Sequence, residues 1–322
     1  ADLARVMPLL GPDVAPLARS GALLLLGVFA LKAAVLPLGL WLPRAYAAAT
    51  GATAALFAVL TKVGVYAILR VHPLVFGPGA GEVANVAAAW VLPVALATLA
   101  LGALGVLASR ALRGAAGLLV VYSVGTLLVA VGLFSEAGYA AAVYYMAHST
   151  LASAALFLVS DLVARHRVVG GDRFEVVDAM PHGMLLATLF FVTAVTVAGL
   201  PPLSGFVGKL LVLQAAGAAP GAVVSWSVLL VAALVVIVAV ARAGSALFWR
   251  TAAGAPAGPA LDGRSVGAIV GLLACVVGLV GWGGAATSYA WSTARQLADP
   301  SGYVAAVLGP DASVRERRRS LR

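Results

Sequence analysis

Long apolar stretches separated by short polar segments dominate the 322-residue chain. A membrane-spanning helix needs about 20 predominantly apolar residues, so the hydropathy pattern can be divided into spans. The predicted spans lie near residues 20–42, 48–70, 88–108, 114–134, 137–163, 180–216, 222–249 and 265–290. The pattern therefore predicts an all-α, polytopic membrane protein with about eight transmembrane helices.

The sixth span is too long for one simple helix. A continuous helix over 180–216 would be about 55 Å long, against a hydrocarbon core of about 30 Å. Its middle reads AGLPPLSGF, in which prolines remove backbone donors and glycines loosen the backbone. The residues that break it are Gly199, Pro201, Pro202 and Gly205. We therefore predict a discontinuous helix near 199–205, and a milder interruption of the first span at Pro37.

Composition supports a membrane protein and excludes several other classes. The chain is 62% hydrophobic and 10% charged, with a mean hydropathy of +1.05, whereas a soluble domain carries about a quarter charged residues. The net charge of +9 does not indicate nucleic-acid binding, because the arginines are scattered between apolar spans without interleaved aromatic residues. The single Cys275 excludes a disulfide framework, and we expect it to pack inertly.

The distribution of arginines predicts an orientation. One group follows the odd-numbered spans and comprises Arg44, Arg110, Arg113, Arg165, Arg167, Arg173, Arg250 and Arg264. The smaller opposite group comprises Arg5, Arg19, Arg70 and Arg295. The positive-inside rule places the first group in the cytoplasm. The arginine-rich tail at 315–322 would then lie outside the cell, which opposes this orientation. Basic residues in an exposed tail, however, influence orientation less than those in short loops.

The first residues, ADLARVMPLLGPDVAPLARS, lack both a signal-peptide pattern and an initial Met. We therefore expect the chain to be a fragment of a longer protein.

Only three lysines occur, and all three lie within apolar stretches: Lys32, Lys62 and Lys209. A charged side chain at bilayer depth costs at least a few kcal/mol and marks a functional site by default. Lysine also changes its protonation state readily when buried, whereas arginine stays charged. The structural alternative for each lysine is that its ammonium snorkels to the membrane interface.

One histidine and several hydroxyls extend this pattern. His148 is central to the fifth span and belongs to the residue type that titrates near neutral pH. Its alternative role is that of a core histidine bonded to a carbonyl. Hydroxyls that could hold bridging waters are Tyr122, Ser123, Ser149 and Ser153, although hydroxyls in membrane helices also serve as packing contacts. Together these side chains suit a proton or cation relay.

No other chemistry is indicated. The four histidines are dispersed without metal-ligand spacing, and no phosphate-binding, dinucleotide or nucleophile motif is present. We therefore expect no metal, no cofactor and no enzymatic activity.

Three runs carry a family resemblance: KAAVLPLGLWLP (32–43), TKVGVYAILR (61–70) and AGLPPLSGFVGKLLVLQAA (198–216). They resemble the antiporter-like membrane subunits shared by multisubunit cation/proton antiporters and respiratory complex I. The ending LADPSGYVAAVLG (297–309) is similar to the D-type subunits of Mrp-type Na⁺/H⁺ antiporters. The resemblance covers essentially the whole chain.

The resemblance implies a fold of about fourteen helices built on two inverted five-helix repeats, each with one discontinuous helix and a proton half-channel. This chain would supply the last eight helices. The implied divisions are 1–19 (connecting segment), 20–70 (last two helices of the first repeat), 86–250 (second repeat), 251–292 (final helix) and 293–322 (tail).

The resemblance also implies roles for individual residues. The family's central lysines fall on Lys32, Lys62 and Lys209, and its histidine falls on His148. There are three departures. The family pairs the first of these lysines with a glutamate on an earlier helix, which this chain lacks. The loop after Pro43 has no proline, and Ser153 stands where many relatives have lysine.

The implied function is exchange of Na⁺, or another monovalent cation, for H⁺ in a hetero-oligomeric complex of the bacterial cell membrane. Its partners would be other membrane subunits and lipids. The alternative is a proton-pumping subunit of NADH–quinone oxidoreductase or a membrane-bound hydrogenase. The C-terminal motif favours the antiporter. The altered loop after Pro43 suggests a third possibility, a degenerate structural subunit, but retention of all three lysines argues against it.

Overall fold

The computed structural model describes residues 1–167, 169–252 and 260–309. Within these ranges the chain is an α-helical bundle. Its α-helices are α1 (Asp2–Val6), α2 (Ala15–Ala33), α3 (Trp41–Ala48), α4 (Gly51–Phe76), α5 (Ala88–Ala108), α6 (Leu112–Gly132), α7 (Glu136–His166), α8 (Gly183–Ala198), α9 (Ser204–Gly217), α10 (Ala222–Gly244), α11 (Gly263–Gly281), α12 (Gly283–Ala298) and α13 (Ser301–Leu308). Short 3₁₀ turns cover Met7–Leu9, Leu38–Leu40 and Gly81–Val83, and a π-helical turn covers Ser245–Trp249.

Seven helical stretches in the described part of the chain are long and apolar enough to cross a membrane. One of them, Ala15–Ala48, contains both α2 and α3. The remaining predicted span is divided between α8 and α9, which are each too short to qualify alone. The structure therefore confirms the predicted all-α, polytopic fold and its discontinuous helix.

Helix α6 occupies the centre of the bundle. Nearly all of its residues are buried, and it contacts α3, α4, α5, α7, α9 and α10. Its contact with α5 is close because of Gly125, where an added Cβ would come 2.5 Å from the backbone nitrogen of Leu99. Small residues of this kind allow membrane helices to approach each other closely. The central helix can therefore present side chains to several neighbours at once.

Polar contacts define one end of the bundle, which we call the arginine-rich end. Asp161 at the end of α7 pairs with Arg113 on α6 at 2.5 Å and with Arg165 at 2.6 Å. The two-residue strands β1 (Val177–Asp178) and β2 (Thr251–Ala252) pair in parallel at this end. Arg167 donates to the carbonyls of Gly171, Arg173 and Glu175. Burial lowers the pKa of its guanidinium, opposed by the nearby carboxylates of Glu175 and Asp172.

Contacts at the opposite end involve the other group of arginines. Arg19 pairs with Glu82 at 3.5 Å, and the guanidinium of Arg70 lies 4.4 Å from the ring centroid of Tyr303. Members of the two predicted arginine groups thus contribute contacts at different ends of the bundle. Which end faces the cytoplasm stays a prediction.

Two details differ from the sequence prediction. The last span is not one straight helix over 265–290, because the helical backbone is interrupted at Trp282, between α11 and α12. Three glycines flank this residue and weaken the helix there. Cys275, which we expected to pack inertly in its apolar run, has an exposed side chain on α11.

Candidate functional site

The break between α8 and α9 forms the framework of the site. Helix α8 ends at Ala198, and Gly199 adopts a left-handed conformation with φ of 71°, which a residue without Cβ adopts at little cost. The chain then passes through Pro201 and Pro202, joined by a cis peptide bond, and α9 begins at Ser204. The amides of Gly199 and Leu200 still donate to the carbonyls of Val195 and Thr196, but no following helical turn supplies a donor to the carbonyl of Ala198.

Lys209 occupies this break. Its Nζ donates a hydrogen bond to the carbonyl oxygen of Ala198 at 2.6 Å and lies 5.1 Å from the ring centroid of Tyr122. The carbonyl end of a helix carries partial negative charge and attracts a cation. The ammonium therefore binds to the carbonyl end of α8, beside a cavity of about 220 Å³.

Lys62 is 2% exposed in the middle of α4, so its side chain does not snorkel to the membrane surface. Its Nζ donates to Ser123 Oγ on α6 at 2.7 Å. The same hydroxyl donates to the carbonyl of Val120 at 2.8 Å. Ser123 is thus fixed by its own helix and accepts from the lysine, which gives the buried ammonium a defined polar partner.

His148 contacts the other side of the break. Its Nδ1 lies 2.9 Å from Ser204 Oγ, the first residue of α9, and both side chains are buried. Gly205 lies in the first turn of α9 and not within the break itself. An added Cβ at Gly205 would come 2.5 Å from the carbonyl of Thr196 and 2.9 Å from His148 Cε1. The absence of a side chain there lets α9 approach α7 and α8.

These groups form one cluster around α6. Ser123 and Tyr122 are consecutive residues of that helix, and they contact Lys62 and Lys209 respectively. His148 joins the cluster at the helix break, through Ser204 at the start of α9. Three titratable side chains from α4, α7 and α9 are therefore connected through hydroxyls, an aromatic ring and the helix break.

The remaining predicted positions lie at the margins of this cluster. Ser149 Oγ donates to the carbonyl of Met146 on its own helix at 3.3 Å, as a packing hydroxyl would. Ser153 is buried on α7. Ser204 was not singled out from the sequence, although it stands in the LPPLSGF run; its contact with His148 joins residues 56 positions apart. Only the tertiary fold brings the two together.

Lys32 is separate from the cluster. It lies in the last turn of α2, which ends at Ala33, and its side chain is exposed. Ala34 follows with φ of 60°, and Leu36 and Pro37 are joined by a cis peptide bond. The interruption predicted at Pro37 is therefore a complete helix break. Within the described ranges, the structure gives the Lys32 side chain no hydrogen bond or ion pair.

No group of three or more His, Cys, Asp or Glu side chains in the described residues is arranged to hold a metal ion.

Two curated relatives are similar over most of the chain. A D-type subunit of a probable K(+)/H(+) antiporter from Rhizobium meliloti (strain 1021) is 37% identical, covering 93% of this chain and 60% of the relative. The D-type subunit of the Na(+)/H(+) antiporter from Bacillus subtilis (strain 168) is 33% identical, covering 89% and 57% respectively. The chain thus spans 60% or less of the length of these two relatives.

Solved structures share the same helical arrangement. A chain of the Mrp complex from Dietzia sp. DQ12-45-1b superposes with a TM-score of 0.78 at 26% identity, covering 88% of this chain and 60% of that one. A chain of the archaeal membrane-bound sulfane sulfur reductase superposes with a TM-score of 0.81 at 20% identity, covering 94% and 61%. The second likeness shows the fold alone.

A family model described as NADH:quinone oxidoreductase/Mrp antiporter, TM, matches residues 14–240. This match covers well over half of the chain and includes every lysine and histidine of the site. The chain therefore belongs to the NADH:quinone oxidoreductase/Mrp antiporter transmembrane family.

Proposed function

We propose that this chain is the ion-translocating part of a multisubunit monovalent cation/proton antiporter, and that Lys62, His148 and Lys209 form its buried proton relay. The observation that carries the proposal is that Lys209 and His148 both contact the break between α8 and α9, while Lys62 bonds to Ser123, the neighbour in sequence of the tyrosine that lies under Lys209. Intramembrane titratable groups that face a broken helix, and not lipid, are typical of ion pathways.

In this relay the two lysines alternate between a protonated and a neutral state. Ser123 accepts from the protonated Lys62, and the carbonyl of Ala198 accepts from the protonated Lys209. His148 contacts Ser204 at the start of α9 and can bind or release a proton at a ring nitrogen. A charge that crosses the membrane in this way couples to the membrane potential by about 2.3 kcal/mol per 100 mV.

We further propose that Lys32 joins the relay only when it is paired with a glutamate on an earlier helix of the same subunit. Its exposed side chain needs a carboxylate that the described residues do not supply. In the same scheme α2 to α4 close the first repeat, α5 to α10 form the second repeat over 86–250, and other membrane subunits cover the exposed face of α2. The bacterial cell membrane is the proposed location.

The carried cation is proposed only as a monovalent ion, because the two relatives are named for K⁺ and for Na⁺. The alternative, a proton-pumping subunit of a redox complex, is supported by the family description and by likeness of fold, whereas the two curated relatives described above, both more than 30% identical, are named as antiporter subunits. The test is cation-dependent proton release from everted membrane vesicles that contain the complete complex. Substituting Lys209→Ala or Lys32→Ala should abolish exchange while the complex still assembles. Normal exchange by either variant would reject the role proposed for that lysine.

A further inference from the structure

A second polar site opens at the arginine-rich end, away from the lysine cluster. It is a pocket of about 570 Å³ between the end of α5, the connection from α5 to α6, the segment before β1, and the end of α10 with the π-helical turn that follows it. Its lining includes Arg110, Arg242 and Arg250, together with the acidic residue Glu175. Three positive charges therefore face one negative charge, and the carboxylate of Glu175 lies 3.8 Å from Arg173.

One of these arginines is fixed in place. Nη2 of Arg242 donates to the carbonyls of Leu107 and Ser109. Leu107 lies in the last turn of α5 and Ser109 directly follows the helix, where helical partners are lacking and a cation is favourable. Arg242 therefore joins α10 to α5 and holds a positive charge at the pocket wall.

The other two arginines have fixed backbones but unengaged side chains. The carbonyl of Arg110 accepts from the amide of Phe174 at 2.9 Å, and the amide of Arg250 donates to the carbonyl of Ser245 at 2.9 Å. Both side chains are exposed, and the structure gives neither a hydrogen bond nor an ion pair with the described residues. Guanidinium groups placed in this way are suited to bind a phosphate.

The position of the pocket indicates which phosphate. It lies where the membrane-spanning helix α10 ends, and the adjacent Trp249 is 73% exposed. Tryptophan is enriched at the depth of the lipid headgroups, and basic pockets between helix ends bind anionic headgroups. A soluble phosphate would gain nothing from an exposed indole at this depth.

We propose that this pocket binds the headgroup of an anionic phospholipid. Arg110 and Arg250 contact the phosphate of the headgroup, and Arg242 supplies a fixed positive charge in the pocket lining. The site is independent of the proton relay, because none of its residues contributes to the lysine cluster.

The experiment measures lipid binding by the delipidated complex in detergent. Phosphatidylglycerol and phosphatidylcholine are titrated separately, and the readout is the ratio of the two affinities. Each of Arg110→Gln and Arg250→Gln should weaken phosphatidylglycerol binding about fivefold, and the double variant about 25-fold, with little change for phosphatidylcholine. Arg44→Gln is the matched control, since it removes an exposed arginine outside the pocket and should leave the ratio unchanged.

Three outcomes would overturn the proposal. The first is equal affinity of the wild type for both lipids, and the second is an unchanged ratio in the double variant. The third is an affinity of the complex for inorganic phosphate equal to its affinity for phosphatidylglycerol, which would indicate a site for a soluble anion. A general loss of stability would weaken both lipids together and would not produce the selective change that the proposal requires.

Discussion

Nζ of Lys62 on α4 donates a 2.7 Å hydrogen bond to Oγ of Ser123 on α6. This contact joins a buried ammonium to the central helix, one residue from the tyrosine that lies beneath Lys209. A buried cation is costly unless it is hydrogen-bonded. Ser123 is therefore the position where the relay should be most sensitive to loss of a single hydroxyl.

Replacing Ser123 by Ala should slow cation/proton exchange about tenfold or more. The reason is that the variant removes the acceptor of a charged hydrogen bond, which contributes about 1.5–3 kcal/mol. Ser123→Thr keeps a hydroxyl and should restore most of the rate. Ser149→Ala is the matched control on α7, where the hydroxyl bonds to its own helix. Initial rates in vesicles check the prediction, and a wild-type rate in Ser123→Ala would contradict it.

Replacing Gly205 by Ala should destabilise the protein and disrupt exchange. The new Cβ would lie 2.5 Å from the carbonyl of Thr196 and 2.9 Å from His148 Cε1, so α9 must move away from α7 and α8. Overpacking of this kind costs about 1–3 kcal/mol. Gly114→Ala on α6 is the control, because an added Cβ there meets nothing within 4 Å and alanine favours a helix. The unfolding temperature of the purified complex should fall for the first variant and not for the second. Equal temperatures would show that the break tolerates a side chain.

Replacing Asp161 by Asn should lower the free energy of unfolding by about 1–2 kcal/mol, since it leaves Arg113 without its ion pair. Arg165→Gln should have a smaller effect, because the Arg165 side chain is 59% exposed and solvent screens its charge. Denaturation of the purified complex at low and moderate salt measures both. A larger loss for Arg165→Gln than for Asp161→Asn would contradict this assignment.

The interruption of the sixth span could be predicted from sequence because its cause is local. Two prolines remove backbone donors, and Gly199 adopts the left-handed conformation that ends α8. The glycines that flank Trp282 also indicate a local interruption of the helix. The predicted span missed it because hydropathy is averaged over a window longer than this interruption.

The partners of these residues could not be predicted in the same way. Ser123 lies 61 positions from Lys62, and Ser204 lies 56 positions from His148. Such pairs depend on the rotation of each helix about its axis, which is set by packing and not by hydropathy. The exposure of Lys32 is likewise a property of the packed bundle, since its sequence surroundings resemble those of Lys62.

The central claim is that Lys209 must lose and regain a proton. Lys209→Arg tests it most directly, because arginine retains the positive charge and can still bond to the carbonyl of Ala198, yet it does not release its proton. Proton release from everted vesicles that contain the complete complex, driven by added Na⁺ or K⁺, is the measurement. We predict no exchange above background, with normal assembly of the complex. Exchange at the wild-type rate would show that Lys209 acts only as a fixed charge at the end of α8 and would contradict the relay.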